Sequence, residues 1–278
     1  MIVTESAGRY RFVTQPDHAA LAGRFARHWA ADSLAEPAAR HPFVVAAELH
    51  DQGWSDYDTR PRLDADGEPV GFIETDGEDW VRFYARGVDV VADVDPYAGL
   101  LASMNAAGLR RGGYGVRTRI LDLSDRPPFE GFVDAEEERQ ADLAARLAAD
   151  DGTPVGERER ALLDALHAEG SAPAGAITSP LWRDYLLLQA LDSLSLYLCN
   201  TVQFSATTVE HVPTDDGDTT GIDVEPVGPA TLRLDPYPFD NPSLAVSIPR
   251  RVVPVGAEDL VEAYFDADVR RTDVTLVA

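Results

Sequence analysis

The residues best suited to chemistry in this 278-residue chain are His18, the pair His50-Asp51, and Asp192. Asp192 sits inside Tyr185-Leu186-Leu187-Leu188-Gln189-Ala190-Leu191-Asp192-Ser193-Leu194-Ser195-Leu196. A carboxylate in so apolar a helix is expected to be buried, and an unpaired buried carboxylate is costly unless a cation, a proton or several donors satisfy it. Tyr185, Gln189 and Asp192 are spaced i, i+4, i+7 and so share one polar stripe. His50-Asp51 ends the apolar run Phe43-Val44-Val45-Ala46-Ala47-Glu48-Leu49. Neighbours on a helix diverge by about 100°, so both side chains can flank one ion at its edge. An imidazole with a carboxylate suits manganese, iron, cobalt, nickel or zinc better than calcium. His18 falls in the first turn of a helix, where the positive helix end keeps the imidazole in the neutral, ligating form. Each has a plainer alternative. His18 reads equally as a capping or surface histidine, a His-Asp dipeptide arises by chance, and Asp192 can pair with an arginine such as Arg183.

The rest of the composition narrows the chemistry. All 24 basic residues are arginine, so Schiff-base, phosphate-loop and general-base roles of lysine are closed. The single Cys199 excludes an internal disulfide and any multi-cysteine metal site, and reads as a small buried hydrophobe. His28 reads as part of a core stripe, His41 as a capping residue, and His167 and His211 as surface residues. Arg60 and Arg62, in a proline-containing loop just past His50-Asp51, are candidates to neutralise a substrate phosphate; the alternative is pairing with Asp56, Asp58 or Asp64. Trp54 and Tyr57 line a pocket or simply pack.

The elements that must position these residues are legible as periodicity. Met1–Thr4 and Tyr10–Thr14 read as a hairpin. Pro16 opens a helix to about residue 31; a second spans about 42 to 52, with Gly53 as its stop. Helices follow at about 78–91, 96–109, 134–150, 156–169 and 180–200, while 110–115 reads as a turn. The Glu136-Glu137-Glu138 run marks a solvated face. After residue 200 proline, glycine and short alternating runs dominate, with strands at 231–234, 244–248 and 274–277, a polar tip at 215–220 and a short helix at 257–265. The expectation is one domain over 1–278, mainly α: a helical core over about 15–200, an added N-terminal β hairpin, and a small β portion over about 201–278.

Taken in order, His … His-Asp … Asp on three separate helices resembles the HD superfamily of metal-dependent phosphohydrolases and phosphodiesterases. Gln15-Pro16-Asp17-His18, His50-Asp51-Gln52-Gly53-Trp54, Asp58-Thr59-Arg60-Pro61-Arg62-Leu63-Asp64, Pro69-Val70-Gly71-Phe72 and Leu188 to Leu196 together resemble the domain of unknown function 3891 family. The HD resemblance implies an HD-like helical fold and one divalent ion on His18, His50, Asp51 and Asp192. Histidine-rich HD members carry further histidines where this chain has Ser103-Met104-Asn105-Ala106, which argues against a second ion. The implied activity is hydrolysis of a small phosphate ester or nucleotide, with Asp51 as ligand and proton acceptor and Arg60 and Arg62 on the phosphate. The alternative is a non-catalytic metal- or ligand-binding protein on the same scaffold.

The formal net charge is −24 at pH 7, with 48 acidic residues. Such repulsion is tolerable where salt screens it, so the composition points to the salt-adapted proteome of a haloarchaeon. An acidic surface lacks the basic footprint that nucleic acid requires. No signal peptide and no apolar span of about 18 residues is visible, which predicts a soluble cytoplasmic protein, with a homo-oligomer left open.

Overall fold

A computed structural model describes residues 1–30, 33–116, 121–150 and 152–278. It begins with a hairpin, β1 (Ile2–Ser6) and β2 (Arg9–Val13), and continues into α1 (Gln15–His28) and α2 (Arg40–Leu49). Then come α3 (Gly77–Val94), α4 (Pro96–Gly108), α5 (Phe129–Ala148), α6 (Glu157–Glu169) and α7 (Pro180–Asn200). The chain ends with β3 (Thr207–Pro213), β4 (Thr219–Gly228), β5 (Thr231–Asp235), β6 (Ser243–Pro254), α8 (Leu260–Asp266) and β7 (Arg270–Val277).

Local chemistry fixes most helix starts. Thr14 accepts the Asp17 amide with Pro16 in the first turn, Asp76 accepts the Glu78 amide, and Asp95 accepts those of Tyr97 and Ala98 ahead of α4. From Tyr97 to Gly108 every residue of α4 is buried, so this is the central helix, with α2, α3, α5 and α7 packed around it. A helix apolar on all sides is buried on all sides.

The expectation of a mainly α, HD-like fold is overturned. The structure is 48% helix and 22% strand, and seven strands among the described residues form one curled mixed sheet, a half-barrel. Their order is β1-β2-β6-β7-β5-β4-β3, with β5–β7 parallel and every other pairing antiparallel. The N-terminal hairpin and the C-terminal strands, read from sequence as two appendages, belong to this one sheet. The pairing of β2 with β6, Tyr10 opposite Val253, unites them. Periodicity reports each strand's buried face but not its partner hundreds of residues away. Leu244, Val246, Ile248, Val274 and Leu276 face the helices and join the main core, while Tyr10, Phe12 and Val253 face the other way, under Leu260 and Tyr264 of α8. Among the described residues no helix is long and apolar enough to cross a membrane.

Candidate metal centre

The site is assembled where the start of α1, the end of α2 and the middle of α7 meet. His18 is the fourth residue of α1, whose start is fixed by the Thr14 cap and by Asp58, which accepts the Gln15 amide at 2.6 Å. The other oxygen of Asp58 lies 2.6 Å from the Met1 amino group, and both partners are buried. Burial pushes the Asp58 carboxyl up, against the pull of that amine.

His50 occupies the C-terminal cap position of α2, and its Nδ1 donates to the Ala47 carbonyl at 3.0 Å. That carbonyl belongs to the last turn, where helical acceptors lack intrahelical donors. Asp51 follows, at the head of a 3₁₀ turn over Gln52–Trp54. This turn lies against α3 because Gly53 has no side chain: a Cβ there would sit 1.8 Å from the Phe83 carbonyl oxygen. Gly53 thus serves close backbone approach rather than the helix stop expected of it. Trp54 packs between Tyr57, Phe83 and Tyr84.

From α7, Asp192 brings Oδ1 to 3.0 Å from His18 Nε2 and 3.4 Å from His50 Nε2. Asp51 Oδ2 lies 3.7 Å from each of the same two nitrogens. The imidazoles stand edge to face, ring centroids 5.3 Å apart. Ligand atoms of His18, His50 and Asp192 all lie within 4.8 Å of one another; Asp51 stands just outside that close group. Side-chain exposure is 2% for His18, 1% for His50 and 4% for Asp51, against 14% for Asp192, so Asp192 is the solvent-facing member.

The outer contacts fix the tautomers. Ser195 Oγ donates to the Asp192 carbonyl at 2.9 Å, so at 3.0 Å it accepts from His18 Nδ1. His50 Nδ1 faces a carbonyl, which only accepts. Both rings therefore keep a proton on Nδ1 and turn Nε2 toward the carboxylates, the outer-shell arrangement that orients metal-ligating imidazoles. Asp51 Oδ1 is buried without a hydrogen-bond partner, and His50 Nε2 meets the carboxylates of Asp192 and Asp51 only at 3.4 and 3.7 Å. A divalent ion would take the place of the protons shared between these imidazoles and carboxylates, so the residues fit such a group.

Electrostatics follow from this geometry. Burial disfavours the charged His50 ring, yet the carboxylates of Asp51 and Asp192 outweigh it and push its pKa up to about 9. Against its own burial, Asp192 is held far below the usual carboxylate range by hydrogen bonds to His18 and His50. Tyr84 is driven well above its ordinary value by burial, with Asp51 and Asp192 adding to it.

The remaining candidates lie elsewhere. Arg60 lines a groove with Tyr10, Glu68 and Leu260, and the Arg62 guanidinium lies 4.8 Å over the Tyr57 ring. Neither carries a described ion pair. Asn105 accepts from the amide of Gln189, which lies one turn before Asp192 on α7. His28 binds Asp240 at 3.0 Å and is partly exposed rather than in the core stripe; His167 is half-buried and bonded to Gln140 rather than on the surface. Residue composition did not reveal Ser195, Asp58 or Tyr84. Only Ser195 had a readable signal, its i, i+3 spacing from Asp192.

Compared with known proteins, residues 1–255 match the family model described as protein of unknown function, DUF3891, in line with the motifs read from the sequence. No curated protein and no solved structure matches the chain.

Proposed function

We propose that this chain, which belongs to the DUF3891 family, is a divalent-metal-dependent hydrolase of small phosphate esters. The observation that carries the reading is the pair of imidazoles, His18 and His50, held through Nδ1 and turning Nε2 toward the carboxylates of Asp192 and Asp51. His18, His50 and Asp192 would hold one ion, with Asp51 at its edge. Three protein ligands leave coordination positions for water and substrate, the pattern of catalytic rather than structural sites. The phosphate-ester class rests only on the resemblance of the ligand order His … His-Asp … Asp to that of the HD superfamily, and the salt-adapted, haloarchaeal source on the lysine-free acidic composition.

A bound divalent ion supplies a lowered water pKa and a polarised phosphoryl oxygen. The chain's own part is to hold and move protons. Asp51 would accept a proton from water held beside the ion. Ser195 and the Ala47 carbonyl keep the two rings from rotating.

A second reading has its own observation. The near-complete burial of both imidazoles favours an ion held without turnover, as in a binding protein. Metal analysis of unchelated protein, then assay of p-nitrophenyl phosphate, bis-p-nitrophenyl phosphate and nucleoside monophosphates with manganese, cobalt, nickel or zinc, separates the two. We expect about one ion per chain and turnover abolished in Asp51→Asn. Bound metal with no turnover across the panel selects the binding protein, and absence of any ion ends both.

A further inference from the structure

Several arginines in this acidic chain are paired with carboxylates: Arg27 with Glu48, Arg111 with Glu137, Arg139 with Asp89 and Glu136, Arg233 with Glu225. Three that are not stand together on the sheet. Arg250 and Arg270 are register partners on β6 and β7, and Arg11 on β2 pairs with Val252, two residues along the same face from Arg250. None of the three has an ion pair among the described residues. Like charges placed opposite each other on a sheet are destabilising, and no carboxylate offsets Arg250. Its guanidinium is pushed down by burial and then by Arg11 and Arg270.

Arg11 and Arg250 border a cavity of about 450 Å³ between the sheet and the end of α7. The volume lies in the range of small-molecule sites, roughly 300–1,000 Å³. Although the chain has 48 acidic residues, none lines it. Arg11 and Arg250 supply charge on one side, and Leu198, Phe204 and Val274 supply an apolar wall. Two polar atoms on its lining, Arg250 Nε and Thr272 Oγ1, are buried without a hydrogen-bond partner. Buried donors are rarely left unmet, and each costs about 1–3 kcal/mol when they are. His18, His50, Asp51 and Asp192 do not line the cavity, and Leu198 is about 9 Å further along the α7 axis than Asp192.

We propose that this cavity is a binding site for a small amphiphilic anion, its carboxylate or phosphate held by Arg11, Arg250 and Thr272 and its apolar body against Leu198, Phe204 and Val274. A planar guanidinium with a neighbouring hydroxyl presents the donors an oxyanion accepts. The bound anion supplies the counter-charge that no described carboxylate gives Arg250.

The test is calorimetric titration and thermal melting of the full chain with octanoate, phenyl phosphate, inorganic phosphate and chloride at matched ionic strength. We expect one site per chain for octanoate or phenyl phosphate, submillimolar, at least tenfold tighter than inorganic phosphate or chloride. The tighter of the first two identifies the head group. Arg250→Gln should weaken that binding at least tenfold, yet melt no lower than the parent without ligand, because it removes repulsion. Thr272→Val should weaken binding about three- to tenfold, and it decides the matter if Arg250→Gln fails to fold. Chloride or inorganic phosphate binding as tightly as the amphiphiles would mean a counter-ion site only and overturn the proposal. So would absence of binding by either amphiphile at 10 mM, or an Arg250→Gln protein that melts lower with probe binding unchanged.

Discussion

An imidazole whose Nδ1 proton is already engaged can meet a carboxylate only through Nε2, and at this site both rings are in that position. Without an ion, a proton on His50 Nε2 takes its place, which is why the ring's pKa stands at about 9. The sign of the resulting pH dependence follows. A folded-state pKa raised above the ordinary 6.5 contributes stability in full below 6.5, and loses it as pH climbs through 9. Asp192, depressed when folded, contributes above its ordinary 3.8 and loses that only as pH falls below it. The metal-free protein is therefore expected to lose on the order of 3 kcal/mol between pH 6.5 and 9. Saturating manganese should flatten that limb, because the ion replaces the proton. Melts in chelator and in manganese from pH 6 to 9 check this; a flat curve in chelator would refute it. Asp192→Ala should abolish metal binding but cost less than the roughly 2–5 kcal/mol of a core truncation, since removing the carboxylate also removes the desolvation cost of burying it. His50→Ala should cost more, about 3–5 kcal/mol, because buried Asp51 then faces Asp192 with one imidazole between them. Equal losses in urea titrations of the two variants would count against this account. All four ligand candidates were readable from residue type and spacing. What fixes their tautomers was not: the Ala47 carbonyl is backbone, and Ser195 acts on a ring 177 positions away.

At the level of elements, α1 and α2 carry one histidine each, and their approach depends on small residues. A Cβ on Gly23 would meet the Glu48 Cβ at 2.6 Å, and one on Gly53 the Phe83 carbonyl oxygen at 1.8 Å. The second overlap is with backbone and cannot be relieved by a side-chain rotation. Gly53→Ala must push the Asp51–Trp54 turn off α3, and overpacking of this kind costs about 1–3 kcal/mol, occasionally more. Because Asp51 heads that turn, metal affinity should fall together with stability. Gly67→Ala serves as the control: its φ is +83°, with open space around the Cβ, so it should carry only modest backbone strain and leave the metal untouched. Denaturant midpoints and metal titrations of both variants test the pairing; an unchanged metal affinity in a destabilised Gly53→Ala would separate the turn from the site. Helix limits were legible to within a few residues for most elements, because Thr14, Asp76 and Asp95 are capping residues ahead of periodic apolar runs. Gly53 was misread because a glycine needed for closeness and one needed for positive φ look the same in a sequence.

For the whole molecule, two features have no local signature: closure of the sheet and the balance of charge. Strand periodicity around Tyr10 and Val253 was visible at both chain ends, but their pairing across 243 positions turned an expected helical protein with β trimmings into a half-barrel under a helical layer. The charge was visible, and its consequence can be argued. Of the ion pairs formed by arginine, those of Arg27, Arg40, Arg82, Arg86 and Arg233 are largely exposed. Exposed pairs contribute about 0–1 kcal/mol each and weaken in salt. The opposing term is the self-repulsion of a net −24, which reaches across the molecule when the screening length is about 10 Å at 0.1 M and collapses to about 3 Å at 1 M. Many long-range repulsions outweigh a few exposed contacts, so salt should stabilise on balance. The melting temperature is expected to rise steeply from 0.1 to 1 M potassium chloride and to level off above it. Sodium chloride should act alike, since screening depends on ionic strength and not on the cation. Charge reversal gives the sharper check. Replacing Glu130, Asp134 and Glu138 on the outward face of α5 by arginine should raise the melting temperature at 0.1 M and leave it nearly unchanged at 2 M. If the melting temperature is flat in salt, or the reversal variant is destabilised at low salt, then the acidic excess is not what limits the fold's stability.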